Sequence, residues 1–475
     1  MNAPLAPVSA IPAQLAAIVG DKHVVTGAHD MALYLAEPRD LFHGKAICVV
    51  RPGSTAEVAA VMKFCFDNNV RVVPQGGNTG LVGGQIPGQG DVDEVLLSLK
   101  RMDKVREVDV SSNTMTVEAG LTLLRTQEEA EKAGMLFPLS LASEGSCTIG
   151  GNLATNAGGT AVLAYGNARD LVVGLEVVLA DGRVMQNLSK LKKDNTGYDL
   201  KHLFMGSEGT LGIITAAVVK LFPRPRGLAT AFVGLADPHK ALAFLDLAQK
   251  HAGADVKTFE IIARFGLEIV VKHGQNTRNP LGEPHNWYVL IELGSISESG
   301  VDDVMMGLLE AAAEQEIIED AAVAASLDQR AGFWRLRELL SELQKFEGGS
   351  IKHDVSVPVA SVPQFLEEAT AAVLDYLPGA RPVPFGHLGD GNIHFNITQP
   401  VGDDKEKFLD RWDEMNEIVH AVAARLHGSI SAEHGVGTLK RDLLPGVKDP
   451  VMLDVMRILK AALDPKGILN PGKVL

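Results

Sequence analysis

Cysteine is scarce in this chain: only Cys48, Cys65 and Cys147 occur in 475 residues. None belongs to a C-x-x-C pair, which excludes a zinc knuckle and a disulfide framework. So few thiols fit a reducing compartment. Basic residues are outnumbered too, 44 Lys and Arg against 59 Asp and Glu, for a formal charge of -15. A duplex binder needs a basic footprint, so nucleic acid is excluded as a partner. The same field repels an anionic substrate, which would need its own local cations. Long apolar runs are missing, and no stretch reads as a membrane span. The start, "MNAPLAPVSAIPAQLAAIVGDK", lacks the basic residues of a secretory leader. The expectation is a soluble cytoplasmic protein, at most touching a membrane partner.

What remains is an ordinary globular composition, 46% hydrophobic and 22% charged, long enough for two or three domains. "STAEVAAVMKFCFDNN" opens on a capping box, Ser54 with Glu57, and continues with helical spacing. "RVVP" and "TMTVEAG" read as strands, "LTLLRTQEEAEKAG" as a helix ending at Gly134, and "VVGLEVVLADGRVM" as a hairpin turned by Asp181 and Gly182. "GTLGIITAAVVKLF" is a further strand, stopped by "PRPRG". That Pro/Arg stretch is the predicted boundary. Beyond it "ATAFVGLA", "HKALAFLDLAQKHAG", "VKTFEII" and "NWYVLIELG" alternate strand with helix, and amphipathic helices are expected near 302–315, 328–346, 362–376 and 404–427. The tail "LDPKGILNPGKVL" is turn-rich, yet too apolar for a loose end.

The 48 glycines cluster in "PQGGNTGLVGG" and "GSCTIGGNLATNAGG", with small polar residues between them. Glycine lets backbone approach a ligand closely and offers its N–H groups to phosphate. One such loop could be a tight turn without a ligand; two favour a large phosphorylated cofactor. No G-x-G-x-x-G opens a helix and no Walker loop occurs, so the cofactor must sit in another fold.

Those two loops, with "KDNTGYDLKHLFMGSEGTLGIIT" and "LDPKGILNPGK", resemble the flavin-binding segments of the vanillyl-alcohol oxidase/p-cresol methylhydroxylase (PCMH) superfamily. "GHLGDGNIHFN" and "SAEHGVG" resemble its D-2-hydroxyacid dehydrogenases, the D-2-hydroxyglutarate branch most closely. The resemblance implies an α+β fold. A two-part PCMH-type FAD-binding domain would cover residues 1–224 and an α+β cap domain for substrate and metal 225–430. A C-terminal helical segment, 431–475, would return to the flavin. It also implies FAD with its pyrophosphate on Gly76, Gly77, Asn78, Thr79 and Gly80, and Pro74 among the cofactor-binding residues. Gly145, Ser146, Gly150, Gly151, Asn152, Thr155, Gly158 and Gly159 would line the flavin and ribityl portion. Glu208, Gly209 and Ile213 would stand near the adenine, and Asn470 would close the site. Some relatives tether FAD through a His in the first loop; Asn78 stands there in this chain, so non-covalent binding is expected.

A single histidine among the chain's 14 is most simply a surface or core residue. His387 and His394, with Glu433 downstream, instead make a set of two imidazoles and one carboxylate, which leaves a coordination position open as catalytic zinc sites do. Zinc is expected, with manganese or iron as alternatives. Beside a flavin, such a cation would bind the substrate hydroxyl, FAD would take the hydride at N5, and His434 would accept the proton. His434 could instead be a ligand.

For the far end of the substrate the resemblance points to Arg337, Ser341, Lys352 and Asn396. Arg337 and Ser341 are four apart on a predicted helix, hence on one face. Arg can grip a carboxylate bidentately and Lys adds a point charge, which favours a dicarboxylate over D-lactate. The bland alternative has Arg337 paired with Glu338 or Glu342 on a solvated face. Ser341 replaces the Thr usual in that branch. The expected activity is oxidation of D-2-hydroxyglutarate to the 2-oxo acid. D-lactate, D-malate or glycolate are the nearest rivals, and a metabolite-binding sensor or a flavin-free zinc hydrolase the more distant ones. Electrons would pass on to an electron-transfer flavoprotein or a quinone-linked carrier, and a homodimer is implied by resemblance alone.

Overall fold

The structure is a computed structural model that describes residues 5–90 and 93–475. The chain divides into two compact units. The first joins residues up to Gly158 with Gly166–Pro223 and Glu433–Leu475; the second holds Gly159–Tyr165 and Arg224–Ala432. Among the described residues no helix is long and apolar enough to cross a membrane.

In the first unit a four-stranded sheet runs in the order Val24–Val25, Val49–Val50, Glu94–Ser98, Arg71–Gln75. Its last three strands are parallel. Parallel strands are covered on both faces, and Val72, Val95 and Leu97 are fully buried with Val58, Val61 and Met62 of the helix Thr55–Asn68. That helix starts as its sequence predicts. Ser54 accepts the N–H of Glu57 at 3.2 Å, while the Glu57 carboxylate turns back to the N–H of Gly53 at 2.8 Å, one residue earlier than a strict capping box. A second sheet is antiparallel, in the order Val105–Asp109, Thr114–Glu118, Ile213–Lys220, Val172–Val178, Val184–Asn187. Its last two strands are the predicted hairpin, turned at Gly182 with φ 85°.

The C-terminal segment is helical, as expected, before it enters the turn-rich tail. Pro450–Leu463 is a helix whose first N–H groups, those of Val451 and Met452, are capped by Asp449 at 2.9 and 3.1 Å. After it, Leu469 bridges Val72 in parallel and extends the first sheet.

The second unit is built on an eight-stranded antiparallel sheet. Strand alternation divides its residues between two cores. Phe259, Ile261, Phe395 and Ile397 pack with Phe244, Leu308, Phe365 and Val419 of helices on one face. On the other, Ile262, Val383 and Phe385 meet Leu267, Val270, Phe333 and Leu336. The single helix expected over 328–346 is broken. Leu327–Glu338 ends, Leu340–Leu343 follows, and the chain tightens into a 3-10 turn, Gln344–Glu347, closed by Gly348 at φ 110°. The helix expected over 404–427 likewise splits into Lys405–Leu409 and Trp412–Arg425, because Arg411 leaves helical geometry at φ -88°, ψ 13°.

Candidate active site

The first unit contains a cavity of about 460 Å³. Its walls are the loop that leaves the Arg71–Gln75 strand, the helix Ile149–Thr155, the turn at Glu208 and Gly209, and the pair Glu433 and His434. Of the positions expected to hold FAD, Pro74, Gly76, Gly77, Asn78, Thr79 and Gly80 line it, as do Gly150, Gly151, Asn152, Thr155 and Gly158, and Glu208, Gly209 and Ile213. Four do not. Gly145 and Ser146 are exposed and off the cavity lining, although a Cβ on Gly77 would stand 2.1 Å from the Ser146 carbonyl oxygen. Gly159 belongs to the second unit. Asn470 is held one layer back, its side-chain amide donating to the carbonyls of Gly84 and Glu208 at 3.0 and 2.8 Å. Sequence reasoning missed Gln75, Gln85, Ser143 and Thr148, which also line the cavity; Gln75 and Thr148 lie inside the quoted glycine runs and Gln85 and Ser143 just outside them, which was the available signal.

Buried polar atoms on these walls lack protein partners: Gln75 Oε1, Thr148 Oγ1 and Asn152 Nδ2. Buried polar groups are rarely left so, and a ligand rich in donors and acceptors would satisfy them. Together with loops too tight for side chains, this fits FAD. Asn78, at φ 63°, directs its amide to the carbonyl of Ala36 at 2.9 Å, a structural use rather than an attachment point.

Glu433 and His434 are held at the cavity by Glu208. This residue is itself in left-handed conformation, φ 52°, with its N–H on the carbonyl of Ala154 at 2.8 Å. Its carboxylate accepts the N–H groups of Val436 at 2.6 Å and Gly437 at 2.8 Å, just past His434. Burial pushes the Glu208 carboxyl above its ordinary range, and the two N–H donors only partly oppose this. Gly437 has φ 50°, and a Cβ there would sit 2.3 Å from the carbonyl oxygen of Val82. The turn therefore has to be glycine.

In the second unit one sheet face gathers the other predicted residues. The strands Arg381–His387 and Asn392–Thr398 form a hairpin in which Phe385 faces His394 and Val383 faces Asn396. His387 lies opposite Glu260 on the neighbouring strand. By alternation Glu260, His387, His394 and Asn396 share a face. The two imidazoles have centroids 5.6 Å apart at 78°. His387 Nδ1 is 2.6 Å from Glu260 Oε1, and Arg337 Nε is 2.7 Å from Glu260 Oε2. Burial works against the Glu260 carboxylate, yet His387 and Arg337 together hold its carboxyl below the ordinary value. Arg337 is thus buried against Glu260, not paired with Glu338 or Glu342 on a solvated face. Ser341, past the helix break, is exposed and does not share that buried position; its carbonyl accepts the Lys352 ammonium at 3.0 Å. Asn396 is buried and donates to Gln344 at 3.0 Å. Sequence reasoning passed over Glu260, although a lone acid inside the apolar run "TFEIIA" is itself a sign of a buried, paired charge.

Residues 224–474 match the family described as FAD linked oxidases, C-terminal domain, and residues 46–186 match the FAD binding domain family. An Arabidopsis thaliana protein named D-2-hydroxyglutarate dehydrogenase, mitochondrial, is 36% identical over 458 residues, 96% of this chain and 80% of the relative. One of the same enzyme name from Xanthomonas citri pv. viticola is 36% identical over 449 residues, 92% of this chain and 93% of the relative. A Schizosaccharomyces pombe protein, named provisionally as a D-lactate dehydrogenase, is 35% identical over 458 residues, 94% and 85% of the two chains. Among solved structures, p-cresol methylhydroxylase shares the fold with a TM-score of 0.77 at 18% identity, over 99% of this chain and 97% of that one. The glycine-walled cavity and these matches together make this chain a member of the FAD-linked oxidase family, an FAD-dependent oxidoreductase on the PCMH-type α+β fold.

Proposed function

We propose that the enzyme oxidises D-2-hydroxyglutarate to the 2-oxo acid with the help of a divalent cation. In this reading His387, His394 and Glu433 are the protein ligands, and zinc is the first candidate over manganese or iron. Bound FAD supplies the two-electron acceptor, and a bound cation supplies a Lewis acid that acidifies the alcohol. The observation that carries the reading is His434 on the wall of the glycine-lined cavity, beside Glu433. In this reading a ring nitrogen of His434, the general base, takes the hydroxyl proton. Arg337 spends Nε on Glu260, and its two Nη groups are the donors for the substrate's far carboxylate. Lys352 adds a second positive charge, with Ser341 and Asn396 as further polar contacts. The names of the Arabidopsis and Xanthomonas relatives support this substrate. The Schizosaccharomyces relative favours a second reading, the same chemistry on D-lactate. Electrons leave through an electron-transfer flavoprotein or a quinone-linked carrier.

Anaerobic addition of each acid to the yellow protein tests the assignment. D-2-Hydroxyglutarate should bleach the flavin absorbance, and chelation should slow the bleaching. Lys352 is exposed, so Lys352→Ala leaves no buried charge behind. It should lower kcat/KM for D-2-hydroxyglutarate roughly ten- to hundredfold, the value of a charged hydrogen bond, and leave D-lactate nearly untouched. Equal losses on both acids would sink the dicarboxylate argument.

A further inference from the structure

We propose that Glu260 is a positioning residue, one buried carboxylate that sets both the metal-binding imidazole of His387 and the guanidinium of Arg337 that grips the substrate. This rests on the reading of His387 as a metal ligand and Arg337 as a carboxylate clamp, and it names a residue on which both depend. The geometry is specific. Glu260 is 0% exposed, in the middle of the sheet, with His387 directly across from it in register. Oε1 takes the His387 ring at 2.6 Å and Oε2 takes Arg337 Nε at 2.7 Å. A carboxylate can only accept here, so His387 must carry its proton on Nδ1. That leaves Nε2 as its ligating nitrogen. A carboxylate behind a ligating imidazole fixes the tautomer, holds the ring plane and raises the basicity of the free nitrogen.

On the other side, Glu260 and the Phe385 ring, 4.8 Å from the guanidinium carbon, hold the inner edge of Arg337. The Nη groups are thereby aimed as a fixed fork instead of swinging on a long side chain. A metal ligand and a substrate clamp so joined cannot be displaced independently. The alternative is an ordinary buried ion pair whose only effect is on stability. The two differ in what Glu260→Gln does. An amide with its oxygen on Arg337 can only donate to His387 Nδ1, which moves the ring proton to Nε2, the nitrogen meant to ligate; turned the other way, it loses Arg337.

The test uses the flavin-loaded protein, stripped of metal by a chelator and equilibrated by dialysis against zinc, with bound metal read by mass spectrometry. Glu260→Gln should bind zinc roughly 10–100-fold more weakly than the parent. At saturating zinc its KM for D-2-hydroxyglutarate should also rise. A folded Glu260→Gln protein with parental zinc affinity and parental KM overturns the inference. If that variant does not fold, Glu260→Leu with Arg337→Met removes the pair as a unit and keeps the core neutral. Its zinc affinity should fall over the same range, and parental affinity overturns the inference again. A parent that takes up no zinc, or His387→Ala and His394→Ala proteins that take up as much as the parent, overturns the metal reading itself. Zinc uptake that needs both histidines, with an affinity and a KM that both ignore Glu260, overturns only the positioning role.

Discussion

Glu208 and Val436, 228 residues apart, are joined by a 2.6 Å hydrogen bond from the Val436 N–H to the Glu208 carboxylate. With the parallel bond from Gly437, it holds the segment that carries Glu433 and His434 to the cavity wall. Glu208→Gln keeps the volume but offers a single acceptor to two N–H donors. One buried N–H is then unsatisfied, at a cost of about 1–3 kcal/mol. The expected outcome is a lower Tm and a fall in kcat larger than the change in flavin content. Full activity in a destabilised variant would mean that Glu208 only braces the fold.

Gly77 has a different role, closeness without hydrogen bonding. A Cβ there would meet the Ser146 carbonyl oxygen at 2.1 Å and Cys147 Cα at 2.9 Å, both backbone atoms that cannot step aside. Gly77→Ala should therefore push the two loops apart and purify with little flavin, read as the ratio of visible to ultraviolet absorbance. Gly145→Ala is the control: nothing lies within 4 Å of its Cβ position, so flavin content should be unchanged.

Much of this was legible in the sequence wherever the determining interaction is local. Ser54 and Glu57 announce their helix because a cap and its N–H groups are three residues apart. Gly182 announces its hairpin because a positive φ is the property of one residue. Asp449 and Pro450 carry a start signal of the same kind for the last helix. The partnership of Glu260 with His387 was not legible. It depends on strand register across 127 residues, and register is set by the whole sheet. The break after Glu338 was hidden in the same way, since every residue there is an acceptable helix former.

Capping at Ser54 has a plain energetic consequence. Its hydroxyl satisfies one of the helix's orphan N–H groups, and Ser54→Ala should cost about 1 kcal/mol. Glu57 still bonds the Gly53 N–H, so the helix should remain and only the unfolding midpoint should drop. Loss of helical circular dichroism would show that the cap nucleates the segment, contrary to this expectation.

Glu347 should govern part of the acid limit of the second unit. Lys272 at 2.6 Å, His273 at 2.7 Å and Arg381 at 2.8 Å surround its carboxylate and hold its carboxyl down at about 2, from an ordinary value of 4.5. A lowered pKa in the folded state means that the ionised form stabilises the fold. That contribution is complete above the unfolded pKa and is lost as pH falls through the folded one. The window is therefore from about 4.5 down to about 2. Glu347→Gln lacks the charge at every pH. Its Tm should lie below the parent's at neutral pH, and the two curves should converge as the pH falls through that window. A gap that stays constant down to the acid end would show that these partners contribute nothing through charge, and that the carboxylate serves only as a hydrogen-bond acceptor which the amide replaces poorly.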